Sequence, residues 1–192
     1  MTNNYTSNQS EQFKDKIIVI TGSTQGSGAE TAKLLAGRGA KGITICGRND
    51  DKGNKVKDEI LKLGSECIYV KADLENLNDC KKIISETDKK FKTIDSFINV
   101  AAFTERGTIL STTEENYDKN FNVNVKAPLF MMQDAIKIMI RDKKKGTIAH
   151  ILSMAAYSGM PFLTAYSASK AALAIMIKNV ANSVSGHQIR VN

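Results

Sequence analysis

Tyr166 and Lys170 stand four residues apart in the run AYSASKAAL, residues 165–173. On a helix, positions i and i+4 share one face. A tyrosine on such a face could pass a proton to or from a reacting oxygen, provided its hydroxyl, which titrates near about 10, is brought toward neutrality. A lysine cation at about 4 Å contributes on the order of 4 kcal/mol at an effective dielectric near 20, roughly three pKa units in favour of tyrosinate. The same spacing equally suits an amphipathic pair packed among small residues. The rest of the chain has to decide between packing and chemistry.

A second group that could hold a ligand lies near the start. TGSTQGSG, residues 21–28, follows one apolar run and opens the next. Its glycines, Gly22, Gly26 and Gly28, let backbone approach a pyrophosphate, and a helix beginning there offers unpaired N–H groups and a partial positive charge. With Ser23, Thr24, Gln25 and Ser27 between them, the turn reads as a dinucleotide phosphate site because it joins a first strand to a first helix. An ordinary tight turn is the alternative. About twenty residues on, the end of the second strand should meet the adenosine ribose. Arg48 and Asn49 stand there, followed by Asp50 and Asp51. An arginine can pair bidentately with a 2′-phosphate, which favours NADP(H) over NAD(H), while the two acids argue the other way.

These residues need a scaffold. KIIVIT (16–21), GITICG (42–47), ECIYVK (66–71), TIDSFINV (93–100) and GTIAHILS (146–153) are rich in Ile and Val and bounded by Gly, Asp or Ser, as strands are. The stretches 28–39, 50–64, 76–91, 112–142 and 164–184 carry helical periodicity. Gly39 and Gly64 fall where left-handed helix ends are wanted, and Thr113 where an N-cap is. Strands apolar on both faces and joined by helices imply an α/β fold with a doubly wound parallel sheet. One domain is expected over residues 14–192, after a flexible N-terminal tail at residues 1–13.

Composition narrows the partners. The 192 residues carry a formal net charge of +7, with 42% hydrophobic and 24% charged residues. The basic residues are scattered. Their densest run, RDKKKG (141–146), reads as a solvated helix end, and no aromatic residues interleave with it, so no nucleic-acid partner is expected. Cys46, Cys67 and Cys80 form no CxxC pair and read as small buried hydrophobes, with no metal site expected. No apolar run is long enough to span a bilayer and the N-terminus has no signal-peptide core, so the chain reads as cytoplasmic with no membrane partner.

Taken in order, the motifs resemble the short-chain dehydrogenase/reductase family, a Rossmann fold, from about residue 14 to the end. The glycine turn matches the family's TGxxxGxG, and Asp73, before Leu74, falls where the family contacts adenine. FINVAA occupies the fourth-strand NNAG motif, with Asn99 and Ala101 in register and Val100 and Ala102 departing from it. NVNV offers Asn124 as the family's helix asparagine, ILS offers Ser153, YSASK matches YxxxK, and IRVN closes the match. His150 stands where many members have Asn.

The resemblance implies a catalytic set of Asn124, Ser153, Tyr166 and Lys170. Ser153 would bind and polarise the substrate oxygen, and Tyr166 would exchange the proton. Lys170 would favour tyrosinate and hold the nicotinamide ribose, and Asn124 would position a water or backbone group in a proton relay. Cofactor contacts are implied for Gly22, Ser23, Thr24, Gln25, Gly26, Ser27, Gly28, Arg48, Asn49, Asp73, Leu74, Asn99, Ala101, Tyr166 and Lys170. The substrate would be a small carbonyl or alcohol compound. Helices 112–141 and 164–184 resemble the family's dimer helices, which implies a homodimer. Family members continue past the sixth strand into a substrate-covering segment, a helix and a last strand. The sequence stops within that sixth strand, so a fold lacking the last strand and helix is expected. Two further readings stand beside an NADP-dependent oxidoreductase: a dinucleotide-binding module without turnover, and a nonfunctional or incomplete product.

Overall fold

The computed structural model describes residues 11–192; residues 1–10, most of the expected tail, lie outside them. The rest of that tail is attached. The Phe13 amide donates to the Arg38 carbonyl oxygen at 3.0 Å, its ring packs on the core, and Lys14 bridges to Ala40.

Six strands form one parallel sheet: β1 Ile17–Thr21, β2 Gly42–Gly47, β3 Glu66–Lys71, β4 Ser96–Asn99, β5 Thr147–His150 and β6 Arg190–Val191, in the spatial order β3-β2-β1-β4-β5-β6. The helices are α1 Gly26–Gly37, α2 Asp50–Lys62, α3 Leu77–Phe91, α4 Glu114–Phe121, α5 Ala127–Arg141 and α6 Thr164–Val184. This is the doubly wound architecture the alternating pattern predicts.

The unbroken apolar run of β1 feeds two cores, because successive side chains point to opposite faces. Ile18 and Ile20 join Ile43 and Ile45 against Leu35 of α1 and Ile60 of α2. Val19, on the other face, joins Phe97 and Ile148 against Ile83 of α3, Met131 of α5 and Leu173 of α6. Each such fully buried side chain contributes about 1.5–3 kcal/mol. Strand order reverses between β1 and β4, and the crevice at the C-terminal ends of those strands is where a ligand is accommodated in such sheets. Thr21 and Asn99 lie opposite each other at that edge.

Helix ends follow the sequence signals. Gly39 and Gly64 adopt φ of 87° and 93°, and the Thr113 hydroxyl accepts the Asn116 amide at 3.1 Å. Two elements differ from expectation. The run 146–153 pairs as a strand only over Thr147–His150, so Ser153 lies in the following turn, where it accepts the Ala155 amide at 3.2 Å. The stretch 112–142 is two α-helices joined by one wide π turn, Asn122–Lys126. Pro128, in the first turn of α5, has no N–H to return to the carbonyl of Asn124 four residues back, and the π turn absorbs an extra residue there.

Candidate active site

The glycine turn leaves β1 with Gly22 at φ 63° and Gly26 at φ 55°. A Cβ on Gly22 would lie 2.8 Å from the Ala101 backbone, and one on Gly28 would collide with the Gly22 carbonyl oxygen. Glycine at both is what lets α1 start against the strand ends. Gln25 makes no side-chain cap and no acid stands in the first turn of α1, so its N–H groups meet the crevice without a side-chain acceptor. A cavity of about 400 Å³ lies in front of them. This arrangement fits a nucleotide pyrophosphate.

Of the residues singled out for cofactor contact, Gly22, Thr24, Gln25, Gly26, Ser27, Gly28, Arg48, Asp73, Leu74 and Ala101 line this cavity. Ser23 and Asn49 have side chains engaged elsewhere, and Asn99 is engaged through Oδ1 while its buried Nδ2 has no partner among the described residues. Ser23 is fully buried, its hydroxyl donating to the Ile20 carbonyl at 2.5 Å and accepting the Cys46 amide at 3.0 Å, which staples β1 to β2. Asn49 caps α2 by accepting the Lys52 amide at 2.9 Å. Asn99 accepts the Thr21 hydroxyl at 2.6 Å, and that hydroxyl accepts the Ala101 amide at 3.2 Å. The far wall adds Ala102, Phe103, Lys119 and Val123, with the Lys119 ammonium 5.0 Å from the Phe103 ring centre. Ala102 was marked in sequence only as a departure from the NNAG pattern, and Phe103, Lys119 and Val123 only by their closeness to Ala101 and Asn124.

At the ribose end one of the two acids, Asp50, is paired. Lys71 holds Asp50 at 2.6 Å and keeps its carboxyl below the usual range, with the Tyr69 hydroxyl 3.2 Å away. Lys52 donates to Gln25 Oε1 at 2.7 Å, which brings a second cation to the glycine turn on the side of the exposed Arg48.

Asn124, Ser153, Tyr166 and Lys170 are gathered at the same end of the sheet by three separate elements. Asn124, fully enclosed in the π turn, accepts the Phe103 amide at 2.8 Å and donates to the Phe103 carbonyl and to Ser169 Oγ, each at 2.9 Å. Ser169 in turn donates to the Tyr166 carbonyl oxygen at 2.7 Å. Lys170 is 1% exposed and donates to the Ile151 carbonyl at 2.8 Å, so the chain segment leading to Ser153 is tied to α6. Burial alone pushes the Lys170 ammonium down to about 8. Its hydrogen bond goes to a backbone carbonyl rather than to the Tyr166 hydroxyl. No motif marked Ser169, because its role depends on a contact between α6 and the π turn.

Behind this set, His150 Nε2 lies 3.0 Å from Met132 Sδ and its ring meets Phe97 edge-on at 6.0 Å. Burial, then the charge of Lys170, pushes His150 down to about 4, so it is neutral at pH 7. The three cysteines are free and buried, with burial raising Cys46 and Cys67 to about 12 and Cys80 to about 11, as suits small hydrophobes rather than reactive thiols.

The sequence profile of the family described as short chain dehydrogenase matches residues 16–192. An oxidoreductase of Thermotoga maritima described as uncharacterized is 33% identical over 180 residues, covering 94% of this chain and 70% of the relative. Galactitol 2-dehydrogenase of Agrobacterium fabrum is 31% identical over 181 residues, covering 94% of this chain and 69% of the relative. Among solved structures, a metagenomic short-chain oxidoreductase in complex with NADP superposes with a TM-score of 0.88 at 27% identity, covering 94% of this chain and 81% of that one.

Proposed function

Since the chain belongs to the short-chain dehydrogenase family, we propose that it moves a hydride between NADP(H) and a carbonyl or alcohol substrate, with Tyr166 exchanging the proton. The observation that carries this reading is the anchoring of the Tyr166–Lys170 turn from two sides, by Asn124 through Ser169 and by the Ile151 carbonyl.

The nicotinamide, when bound, supplies or accepts the hydride. The glycine turn and the first turn of α1 would hold the pyrophosphate, Asp73 and Leu74 the adenine, and Lys170 the nicotinamide ribose. Arg48, with Lys52 beside Gln25, suits a 2′-phosphate, and the engagement of Asp50 with Lys71 withdraws one of the two carboxylates that would instead take a free 2′-hydroxyl. These contacts support NADP(H) over NAD(H). In reduction, Ser153 Oγ donates a hydrogen bond to the carbonyl oxygen as charge develops on it, and Tyr166 delivers its proton to the same oxygen. The Lys170 ammonium favours the resulting tyrosinate. The Asn124 carbonyl, to which Pro128 offers no N–H, suits a water that returns a proton toward Lys170.

The test is oxidation of NADPH by the parent and by Tyr166→Phe across a panel of ketones. The parent turns over, and the variant loses about 10²- to 10⁴-fold in kcat while its NADPH affinity stays within a few-fold. Equal rates would overturn the assignment. A cytoplasmic homodimer belongs to the same reading, supported by the exposure of Tyr117, Ile140 and Ile175 on the helices concerned, and sedimentation tests the dimer.

A further inference from the structure

Asn116, Asn120 and Asn124 recur at every fourth position and are all buried, Asn120 and Asn124 completely. Asparagine is a poor residue for a helix interior. A carboxamide there destabilises the fold unless its polar atoms are bonded, and a leucine or valine would fill the same face of α4 without that requirement.

The three amides are joined end to end. Asn120 Nδ2 donates to the Asn116 carbonyl oxygen at 2.9 Å and lies 3.2 Å from Asn116 Oδ1. Asn120 Oδ1 accepts from Asn124 Nδ2 at 3.3 Å. Asn124 then meets Ser169, and Ser169 meets the Tyr166 carbonyl.

The first link sets the direction of the second. A backbone carbonyl only accepts, so the Asn116 oxygen holds Asn120 with its NH₂ toward the start of α4 and its oxygen toward Asn124. That oxygen also only accepts, so it faces the Asn124 NH₂, whose two hydrogens are shared among the Phe103 carbonyl, Ser169 and, at the longest distance, Asn120. Ser169, accepting from Asn124, has its single hydroxyl hydrogen left for the Tyr166 carbonyl. A flipped Asn124 amide would set oxygen against oxygen at both Asn120 and Phe103, and its NH₂ against the Phe103 N–H.

We infer that Asn120 is a positioning residue for the reaction: together with the Phe103 backbone it holds the Asn124 carboxamide in place and so, through Ser169, the turn of α6 that carries Tyr166 and Lys170. The inference rests on the oxidoreductase reading above.

Two variants test it. Asn120→Leu removes the amide. Asn120→Asp restores the pattern reversibly, because a protonated carboxyl donates to the Asn116 carbonyl and accepts from Asn124, whereas the ionised form sets a second acceptor against that carbonyl. Burial keeps such a carboxyl protonated to higher pH than usual. With NADPH and a ketone the parent reduces, Asn120→Leu lowers kcat on the order of tenfold to a hundredfold with KM within about twofold. Asn120→Asp matches the leucine variant at high pH and approaches the parent as pH falls. Parent-like kcat in Asn120→Leu, or a pH profile of Asn120→Asp that overlays the parent's, overturns the inference.

A second measurement does not need turnover. The Asn124 side-chain amide protons, followed by NMR, exchange about tenfold faster in Asn120→Leu than in the parent once the ladder is broken. Unchanged exchange overturns the inference. A parent that reduces no ketone yet shows the exchange difference overturns the oxidoreductase reading alone.

Discussion

The Lys170 ammonium lies 2.8 Å from the carbonyl oxygen of Ile151, two residues ahead of Ser153. A buried cation bonded to a neutral carbonyl is poorly compensated, and burial lowers its pKa from 10.5 to about 8. Rate and stability should then respond oppositely to pH. Charge on Lys170 is lost as pH rises through about 8, so kcat for ketone reduction falls there. Between about 8 and 10.5 the unfolded chain binds the extra proton, so stability toward urea rises over the same interval. Lys170→Met abolishes both dependences, which kcat–pH profiles and urea titrations at matched pH will check.

Ser153 caps the turn after β5 and, in the proposed reaction, also faces the substrate oxygen. Ser153→Ala is expected to lower kcat by about 10²- to 10³-fold, and loss of the hydrogen bond to the Ala155 amide to reduce stability by about 1 kcal/mol. Steady-state kinetics beside thermal melts separate the two. A full kcat with lowered stability would leave the serine as a cap only.

Arg48→Ala is expected to weaken NADPH by about tenfold and NADH by less than about twofold, since one bidentate phosphate contact is removed. Lys71→Met, which frees Asp50 to face the ribose, should shift preference in the same direction. Fluorescence titration with both nucleotides is the measurement. An equal loss for NADH and NADPH in Arg48→Ala would contradict the assignment of Arg48 to the 2′-phosphate.

His150 is held neutral, its pKa depressed from 6.5 to about 4. The unfolded chain takes up a proton at higher pH than the folded one, so stability is retained above 6.5 and lost progressively as pH falls toward 4. The loss between pH 7 and 5 should be about 2 kcal/mol. In His150→Asn this residue's share of the acid sensitivity disappears. Urea midpoints at the two pH values decide, and an unchanged difference in the variant would refute the account.

The sheet was legible because β1 and β2 are nearly continuous apolar runs, and α2 and α3 keep one apolar face with Asn49 and Asn76 capping their starts. The run 112–142 was not. Nothing in its periodicity announces a π turn, and Pro128 signals only that a helix starts or breaks nearby. Residue types at motif spacing pointed to Tyr166, Lys170 and the glycine turn. They could not reveal that Ser23 turns inward, that Lys170 bonds to Ile151, or that Ser169 links Asn124 to Tyr166. Each of those depends on residues far apart in sequence, which only the packed sheet brings together.

The π turn also acts as an angular offset. An α-helix advances about 100° per residue, so a wide turn that takes up one extra residue sets everything after it about 100° behind the phase an unbroken α-helix would give it. In its actual phase, α4 packs on α6 while α5 packs on α3. One nearly continuous rod thereby serves the reacting end of the sheet with one segment and the core with the next. An unbroken α-helix over the same residues would swing one set of contacts out of line with the other.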